Sequence, residues 1–162
     1  MKLTLSLMFM VVFHAVGSLG PLHASCKIHW SWAVKCSMVN DAIVNQIQKW
    51  HSNETCPGGK GEKCLYTLES QTDTEIKAIH ETPKKHYKDD LTFTFTANGT
   101  ELCSVEGYSS SETWYAVLDY GTNYCNLHNL ITGAGLDKMP KYSEETSDSI
   151  CTQYSSADCE KY

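Results

Sequence analysis

The eight cysteines constrain this chain of 162 residues more than any other feature of its sequence. An even number of cysteines in a small exported domain indicates disulfide bonds, which stabilise a fold by lowering the entropy of the unfolded chain. None of them has the Cys-x₂₋₄-Cys spacing of structural zinc sites, so we predict four disulfides and no metal site. The cysteines are Cys26, Cys36, Cys56, Cys64, Cys103, Cys125, Cys151 and Cys159.

The sequence does not fix how the cysteines pair, because eight cysteines allow many different sets of bonds. Two pairs are geometrically reasonable. Cys103 and Cys125 fall on strands that are predicted to be neighbours, and Cys151 is close to Cys159 in the chain. The connectivity as a whole stays open.

Residues 1–25 have the composition of a secretory signal peptide. Lys2 is followed by a nearly unbroken apolar run that ends at Val16, and small residues come after it. The run is shorter than the roughly 20 apolar residues that a membrane span needs. We therefore expect residues 1–25 to be removed and residues 26–162 to form a single secreted, extracellular domain without a membrane span.

Net charge argues against two classes of partner. The chain has a formal net charge of −6, and its 13 basic residues are all lysine. Nucleic acids and anionic membrane surfaces are bound by clustered lysine and arginine side chains. We therefore expect neither a nucleic acid nor a membrane surface as a partner.

Helical spacing of apolar residues predicts one amphipathic helix in the N-terminal part of the mature chain. Ser37 is a good N-cap residue, and the Cys56-Pro57-Gly58-Gly59 stretch breaks a helix. The remaining surface of the segment is polar, so we expect the helix to lie against a core. Its apolar face consists of Val39, Ala42, Ile43, Ile47 and Trp50.

The segment from Cys64 to Ile131 is predicted to form antiparallel strands, because β-branched and aromatic residues dominate it and turn residues interrupt it regularly. Asn98-Gly99 favours a two-residue hairpin turn of type I′. Apolar residues from Leu91 to Phe95 alternate with threonines, which gives one apolar face and one hydroxyl-bearing face. The predicted strands are residues 64–70, 75–82, 91–97, 101–109, 113–120 and 123–131.

The sequence contains no pattern that predicts catalysis. The serines at 109–111 lack the Gly-x-Ser-x-Gly pattern of a nucleophile elbow, and no His-Glu-x-x-His motif occurs. We therefore expect a binding protein rather than an enzyme, with no catalytic residues, no metal and no cofactor.

Apolar residues on the predicted strands, most of them aromatic, are the best candidates for a ligand-binding pocket. Most strand aromatics belong to a core, but a sheet that curls around a cavity places them along its wall. Such a pocket holds a small molecule between apolar walls with a few polar groups. The candidate ligand-binding residues are Tyr66, Leu68, Phe93, Phe95, Trp114 and Leu118.

The order of a helix, strands and a cysteine-bearing strand resembles that of secreted lipocalins, most closely the histamine-binding type described from arthropod saliva. The matching residues are the helix that ends in Trp50 and the runs 90–95 and 114–125, within residues 38–131. The resemblance implies an eight-stranded barrel that carries a small hydrophobic or amine ligand. With six predicted strands, we expect a mainly β, α+β fold whose antiparallel sheet forms a lipocalin-like barrel or half-barrel.

Two alternatives are kept beside this prediction. A cystatin-like fold also runs from a helix into antiparallel strands and places the helix on the sheet, although the inhibitory Gln-x-Val-x-Gly loop of cystatins is absent. The alternative function is a secreted protein-binding module, either an inhibitor or a cell-surface ligand. Its contacts to an extracellular protein would come from loops 83–90, 109–112 and 133–142.

Asn53 and Asn98 each begin an Asn-x-Thr triplet in a polar, turn-like stretch, so we expect both to carry glycans. Treatment of the protein secreted from a eukaryotic cell with an N-glycosidase should lower its mass, and N53Q and N98Q should each remove the mass of one glycan. E54Q is the matched control, because it keeps the first triplet intact. A secreted protein whose mass does not change after treatment would contradict the prediction.

Overall fold

The chain folds into a sheet that carries helices on one face. The computed structural model describes residues 23–56, 58, 61–112 and 118–162. The strands in these residues are β1 (Ser25–Trp32), β2 (Tyr66–Gln71), β3 (Glu75–Glu81), β4 (Lys88–Ala97), β5 (Cys103–Ser111) and β6 (Ser143–Glu145). The helices of the same residues are α1 (Cys36–Lys49) and α2 (Thr122–Gly133).

All neighbouring strands of the sheet are antiparallel, in the order β2-β3-β4-β5-β1-β6. The first strand of the chain, β1, therefore lies inside the sheet, between β5 and the short β6. Strands β2 and β6 are the two edges, so the described strands form an open sheet. The expected antiparallel α+β fold with disulfides is confirmed, whereas a closed barrel is wrong for these strands.

The two faces of the sheet differ in polarity. On β4, Leu91, Phe93 and Phe95 are buried, while the threonines between them lie on the opposite face. Helices α1 and α2 cover the apolar face, where Ile43 and Leu127 are fully buried in the same core. The alternation along β4 thus separates a helix-covered core from a face that is open to solvent.

Helix α1 matches the predicted amphipathic helix, but its first turn differs from the prediction. The helix begins at Cys36 rather than after Ser37, and Lys35 stands at the N-cap position without a side-chain hydrogen bond. A disulfide joins Cys36 to Cys103, the first residue of β5. Because this bond attaches the first turn to the sheet, the helix does not depend on Ser37 as a cap.

Strands β2 to β5 confirm the first predicted strands, with ends that differ by a few residues. They correspond to the predictions 64–70, 75–82, 91–97 and 101–109. Most of the predicted strand 113–120 lies outside the described residues, because 113–117 are not among them. Its last residues, 118–120, are described and do not belong to a strand.

The predicted strand 123–131 is wrong, because this segment is part of helix α2. Its buried residues Tyr124, Leu127 and Ile131 recur at intervals of three and four, which is the spacing of one helix face. The carboxylate of Asp119 accepts hydrogen bonds from the backbone N–H groups at the start of α2, at 3.0 and 3.1 Å. These bonds satisfy donors that a helix leaves unpaired at its N-terminus.

The turn between β4 and β5 is longer than the predicted type I′ turn at Asn98-Gly99. Ala97 pairs with Cys103, so five residues connect the strands, and the backbone N–H of Asn98 donates to the carbonyl of Leu102 at 2.9 Å. Gly99 has a positive φ of 81°, but Asn98 does not have a positive φ. A type I′ turn requires positive φ at both central residues, so that part of the prediction is wrong.

All eight cysteines lie in the described residues and form disulfides, which confirms the predicted bonding state. The bonds are Cys26–Cys151, Cys36–Cys103, Cys56–Cys64 and Cys125–Cys159. Both suggested pairs, Cys103–Cys125 and Cys151–Cys159, are therefore wrong. Cys125 lies on helix α2 and not on a strand beside Cys103. Cys151 and Cys159 both belong to the C-terminal tail, but one is bonded to β1 and the other to α2.

One carboxylate of β6, that of Glu144, connects this short edge strand to the core. Among the described residues, Glu144 accepts hydrogen bonds from the Trp30 indole at 2.8 Å, the Tyr124 hydroxyl at 2.7 Å, His128 at 2.8 Å and the Tyr142 hydroxyl at 3.0 Å. Burial alone raises the pKa of Glu144, but the hydrogen bonds outweigh it and lower the pKa to about 2. The ionised form is therefore the one that the fold binds.

Replacing this carboxylate with an amide, as in E144Q, should lower the free energy of unfolding at neutral pH by about 2–4 kcal/mol, because buried donors lose a charged acceptor. The folded pKa lies below the ordinary value of 4.5, so the contribution is present above pH 4.5 and is lost as the pH falls toward 2. Urea unfolding followed by tryptophan fluorescence at pH 7 and pH 3 measures both effects.

The matched control for this experiment is E145Q, which changes the exposed neighbour on the same strand. It should change the free energy of unfolding by less than about 0.5 kcal/mol. If E144Q and E145Q had equal effects at pH 7, Glu144 would not be the anchor of β6.

Candidate functional site

A groove of about 470 Å³ lies on the polar face of the sheet, opposite the helices. Residues of β4, β5, β1 and β6 line it, and the strand register places their outward side chains in rows across the sheet. Because backbone hydrogen bonds hold the strands together, these side chains start from a rigid support. The volume falls in the range of about 300–1,000 Å³ that is typical of small-molecule sites.

The first row across the groove contains carboxylates and an imidazole, and we call it the acidic row. The register pairs Thr94 with Glu106, Glu106 with His29, and His29 with Glu145. Side chains that lie directly opposite each other in antiparallel strands have Cβ atoms about 4.5–5.5 Å apart. The acidic row therefore presents a carboxylate on each side of the His29 imidazole.

The second row, which we call the hydroxyl row, is formed by Thr96, Ser104, Ser31 and Ser143. The hydroxyl groups of Ser31 and Ser143 lie 2.7 Å apart and form a hydrogen bond. The side-chain amide of Asn98 donates to the hydroxyl of Ser104 at 2.9 Å. Each hydroxyl can also donate and accept further hydrogen bonds, so this row can bind polar groups of a ligand.

The two carboxylates of the acidic row differ in their ionic partners. Glu106 lies 3.1 Å from the Lys27 ammonium and 3.7 Å from the His29 imidazole. Glu145 is exposed and forms no ion pair within the described residues. Exposed ion pairs contribute little to stability, so Lys27 can leave Glu106 at a small cost in free energy. Both carboxylates can therefore bind a cation from solution.

The apolar residues that border the groove contribute little apolar surface to it. Trp30 and Val105 are about as buried as the rest of the core, with 2% and 1% of their surface exposed. Their side chains point toward the helices, because they alternate with the outward residues of β1 and β5. The groove is thus a polar site, suited to hydrogen bonds and charge.

The residues predicted to bind a ligand occupy other parts of the molecule. Tyr66 and Phe93 are fully buried and Phe95 nearly so, all in the core under the helices. Leu68 is partly buried against that core, and 65% of the surface of Leu118 is exposed. Trp114 lies outside the described residues. None of the described five borders the groove, and a role for them in ligand binding stays a prediction.

Asn53 and Asn98, the expected glycosylation sites, are both exposed on the described surface. Asn53 lies in a short 3-10 helix, Asn53–Thr55, and Asn98 lies in the turn at one end of the groove. Exposure of both side chains is what a glycan requires, and glycosylation itself stays a prediction.

The sequence contained a signal for part of the groove. The threonines of β4 were recognisable as a hydroxyl-bearing face, because they alternate with buried residues. The contributions of His29 and Ser31 depend on β1, and those of Ser143 and Glu145 depend on β6, two strands that were not predicted. Strands β1 and β6 pair residues that are more than 100 positions apart, and the local period of a sequence does not show which distant segments pair.

No group of three His, Cys, Asp or Glu side chains in the described residues is arranged to hold a metal ion. None of the helices that the structure describes is both long enough and apolar enough to cross a membrane.

The lipocalin resemblance stays a prediction, since no family model matches the chain and no curated protein matches its sequence.

Proposed function

We propose that this protein is an extracellular binding protein that captures a small amine in the groove on the open face of its sheet. The observation that supports this function best is the acidic row, in which Glu106 and Glu145 lie next to a row of hydroxyl groups. Of the two ligand types expected from the sequence, hydrophobic and amine, the polar lining of the groove favours the amine.

Charge supports the choice of a cationic ligand. An ammonium group forms charge-assisted hydrogen bonds with carboxylates, which are roughly twice as strong as those between neutral groups. The net charge of −6 for the whole chain also favours the approach of cations. The amine would bind between Glu106 and Glu145, and Lys27 would move away from Glu106 as the ligand binds.

The hydroxyl row supplies the second half of the proposed recognition. Ser31, Ser104 and Thr96 lie beside the acidic row on the same strands, so a ligand with a polar group a few ångströms from its ammonium can contact both rows. The side chains stand on paired strands, and a rigid site loses less conformational entropy when it binds. Four disulfides are compatible with an extracellular place of action for such a carrier.

A second candidate function, a protein-binding module, is supported by an exposed apolar pair. Leu118 and Tyr120 expose 65% and 66% of their surfaces. Tyr120 has a positive φ of 57°, and the side-chain oxygen of Gln153 accepts hydrogen bonds from the backbone N–H groups of Asp119 and Tyr120 at 3.0 and 2.7 Å. A strained backbone held by such bonds is common at recognition sites. Loss of partner capture in a Y120S variant that still binds amines would support this second role.

Titration calorimetry with histamine, tyramine and serotonin tests the amine proposal, and tyrosol serves as the neutral analogue of tyramine. We expect at least one amine to bind, tyrosol to bind more weakly, and affinity to fall as salt is raised. E106Q and E145Q should each weaken amine binding by about tenfold, which corresponds to roughly 1.4 kcal/mol for a lost charged contact.

E69Q is the matched control, because Glu69 is exposed on β2, at the far edge of the sheet from the groove. The E69Q variant should bind amines with the same affinity as the unchanged protein. Absence of binding by all three amines would reject the proposed ligand class. Equal amine affinities of E106Q, E145Q and the unchanged protein would show that the groove is not the binding site.

A further inference from the structure

Two buried ionisable side chains and a partly buried one lie together toward the end of β4 that is farther from the groove. His80 on β3 is fully buried and Asp89 on β4 is 4% exposed, and the two residues are directly opposite each other in the strand register. Glu62 belongs to the segment that precedes β2, and its carboxylate interacts with that of Asp89. We call Glu62, His80 and Asp89 the buried acid cluster.

The contacts of the cluster show how the segment of residues 61–65 closes over it. The His80 imidazole lies 2.8 Å from the backbone carbonyl of Glu62, and its ring packs on Tyr66 with centroids 4.5 Å apart. Asp89 accepts a hydrogen bond from the amide of Asn126 on α2 at 2.7 Å. One carboxylate oxygen of Glu62 is buried and has no hydrogen-bond partner among the described residues. Nδ1 of His80 is likewise buried without a partner among these residues, so Glu62 is the unsatisfied carboxylate of the cluster.

The charged groups that face Glu62 do not balance its negative charge. Burial and, after it, the negative charge of Asp89 raise the pKa of Glu62 to about 7, although Lys161 and Lys84 lower it in part. Lys161 comes from the C-terminal tail and Lys84 from the connection between β3 and β4, and both are exposed. Tyr66, the residue that faces the cluster from β2, stays neutral, because burial raises its pKa well above the ordinary value.

The other two members of the cluster do not supply a positive charge. Burial lowers the pKa of His80 to about 4, although the backbone of Glu62 and Cys64 and the charge of Glu81 oppose this, so the imidazole is neutral at physiological pH. Burial raises the pKa of Asp89, and hydrogen bonds from Asn126 and Ser111 reverse this only in part.

Two further carboxylates on the neighbouring elements act in the same direction on Asp89. Asp119 precedes α2 and Asp90 follows Asp89 on β4, and both raise the pKa of Asp89. Within the described residues, the cluster therefore has two carboxyl groups, no positively charged member, and one carboxylate oxygen without a donor. A proton on Glu62 removes its repulsion with Asp89.

We propose that the buried acid cluster is a pH-sensitive closure, in which a proton on Glu62 keeps residues 61–63 seated on the sheet. Loss of that proton as the pH rises leaves a partly buried negative charge that faces Asp89 and has a carboxylate oxygen without a hydrogen-bond donor among the described residues, and Glu62 moves out into water. The motion opens His80 and Asp89 to solvent. The closure is independent of the groove and of the function proposed for it.

Covalent and backbone bonds limit the motion to a short segment. Cys64 is bonded to Cys56, and the carbonyl of Leu65 accepts a hydrogen bond from the backbone N–H of Glu81 at 3.1 Å. Among the described residues, an exposed ion pair links the segment before Cys64 to the C-terminal tail. It joins Lys63 to Glu160 at 3.4 Å. Residues 61–63 can therefore move while β2 and β3 keep their places, with loss of the 2.8 Å contact between the Glu62 carbonyl and His80.

The direction of the pH effect follows from the pKa of Glu62. The folded pKa of about 7 is above the ordinary value of 4.5, so the folded protein binds more protons than the unfolded chain between these values. The contribution of Glu62 to stability is therefore present below pH 4.5 and declines as the pH rises toward 7. Ionisation of Glu62 is expected to open the segment near and above pH 7. His80, with its low pKa, gains a proton only at more acidic pH.

Hydrogen–deuterium exchange of the full chain at pH 6.0 and pH 8.5, corrected for the intrinsic exchange rate, tests the closure. In the unchanged protein, protection of a peptide that covers residues 61–66 should fall by about tenfold or more between these pH values, which is the size of a local opening. In E62Q, which is neutral at both pH values, protection should change by less than about twofold. E69Q, an exposed carboxylate on β2, should behave like the unchanged protein.

D89N supplies a second test that does not depend on E62Q. Removing the negative charge of Asp89 should make the loss of protection of residues 61–66 between pH 6.0 and pH 8.5 smaller than in the unchanged protein, because less repulsion acts on ionised Glu62. Constant protection from pH 6.0 to 8.5 in the unchanged protein would overturn the proposal. A loss of protection in E62Q equal to that in the unchanged protein would also overturn it, whether or not the groove binds amines.

Discussion

The place of β1 inside the sheet is the constraint on which the rest of the structure depends. Trp30 on this strand stacks on Phe93 with ring centroids 6.2 Å apart, and its indole donates to Glu144 on β6. The disulfide from Cys26 to Cys151 attaches the start of the same strand to the C-terminal tail. One face of β1 thus completes the core, while its other face provides His29 to the groove. Core and groove depend on the same backbone pairing.

Much of the fold could be predicted from the sequence wherever a periodic pattern was local. The alternation of Leu91, Phe93 and Phe95 with threonines predicted β4 and its polar face, and the helical spacing after Ser37 predicted α1. The α2 segment was misread as a strand, because aromatic and β-branched residues were weighed above the three- and four-residue spacing of its buried side chains. Tertiary packing decided between a strand and a helix for this segment.

The rest could not be predicted, for reasons that are also physical. β1 has a clear period of two, from Cys26 to Trp32, but only its pairing with β5 and β6 shows that it contributes to a groove. Strand β6 is three polar residues long and has no pattern of its own. The opposite pKa shifts of Glu62 and Glu144 are equally invisible in sequence, since the same side chain meets several hydrogen-bond donors in one place and almost none in the other.

The bond between Cys26 and Cys151 joins positions 125 residues apart, and this has a consequence for how the chain is made. During synthesis, β1 emerges long before either of its neighbouring strands, β5 or β6, has been made. Until then it is a strand with one apolar side and two unpaired edges, which is the kind of segment that pairs with other chains. The Cys26–Cys151 bond closes only after Cys151 has been made, so the native attachment of β1 is a late event.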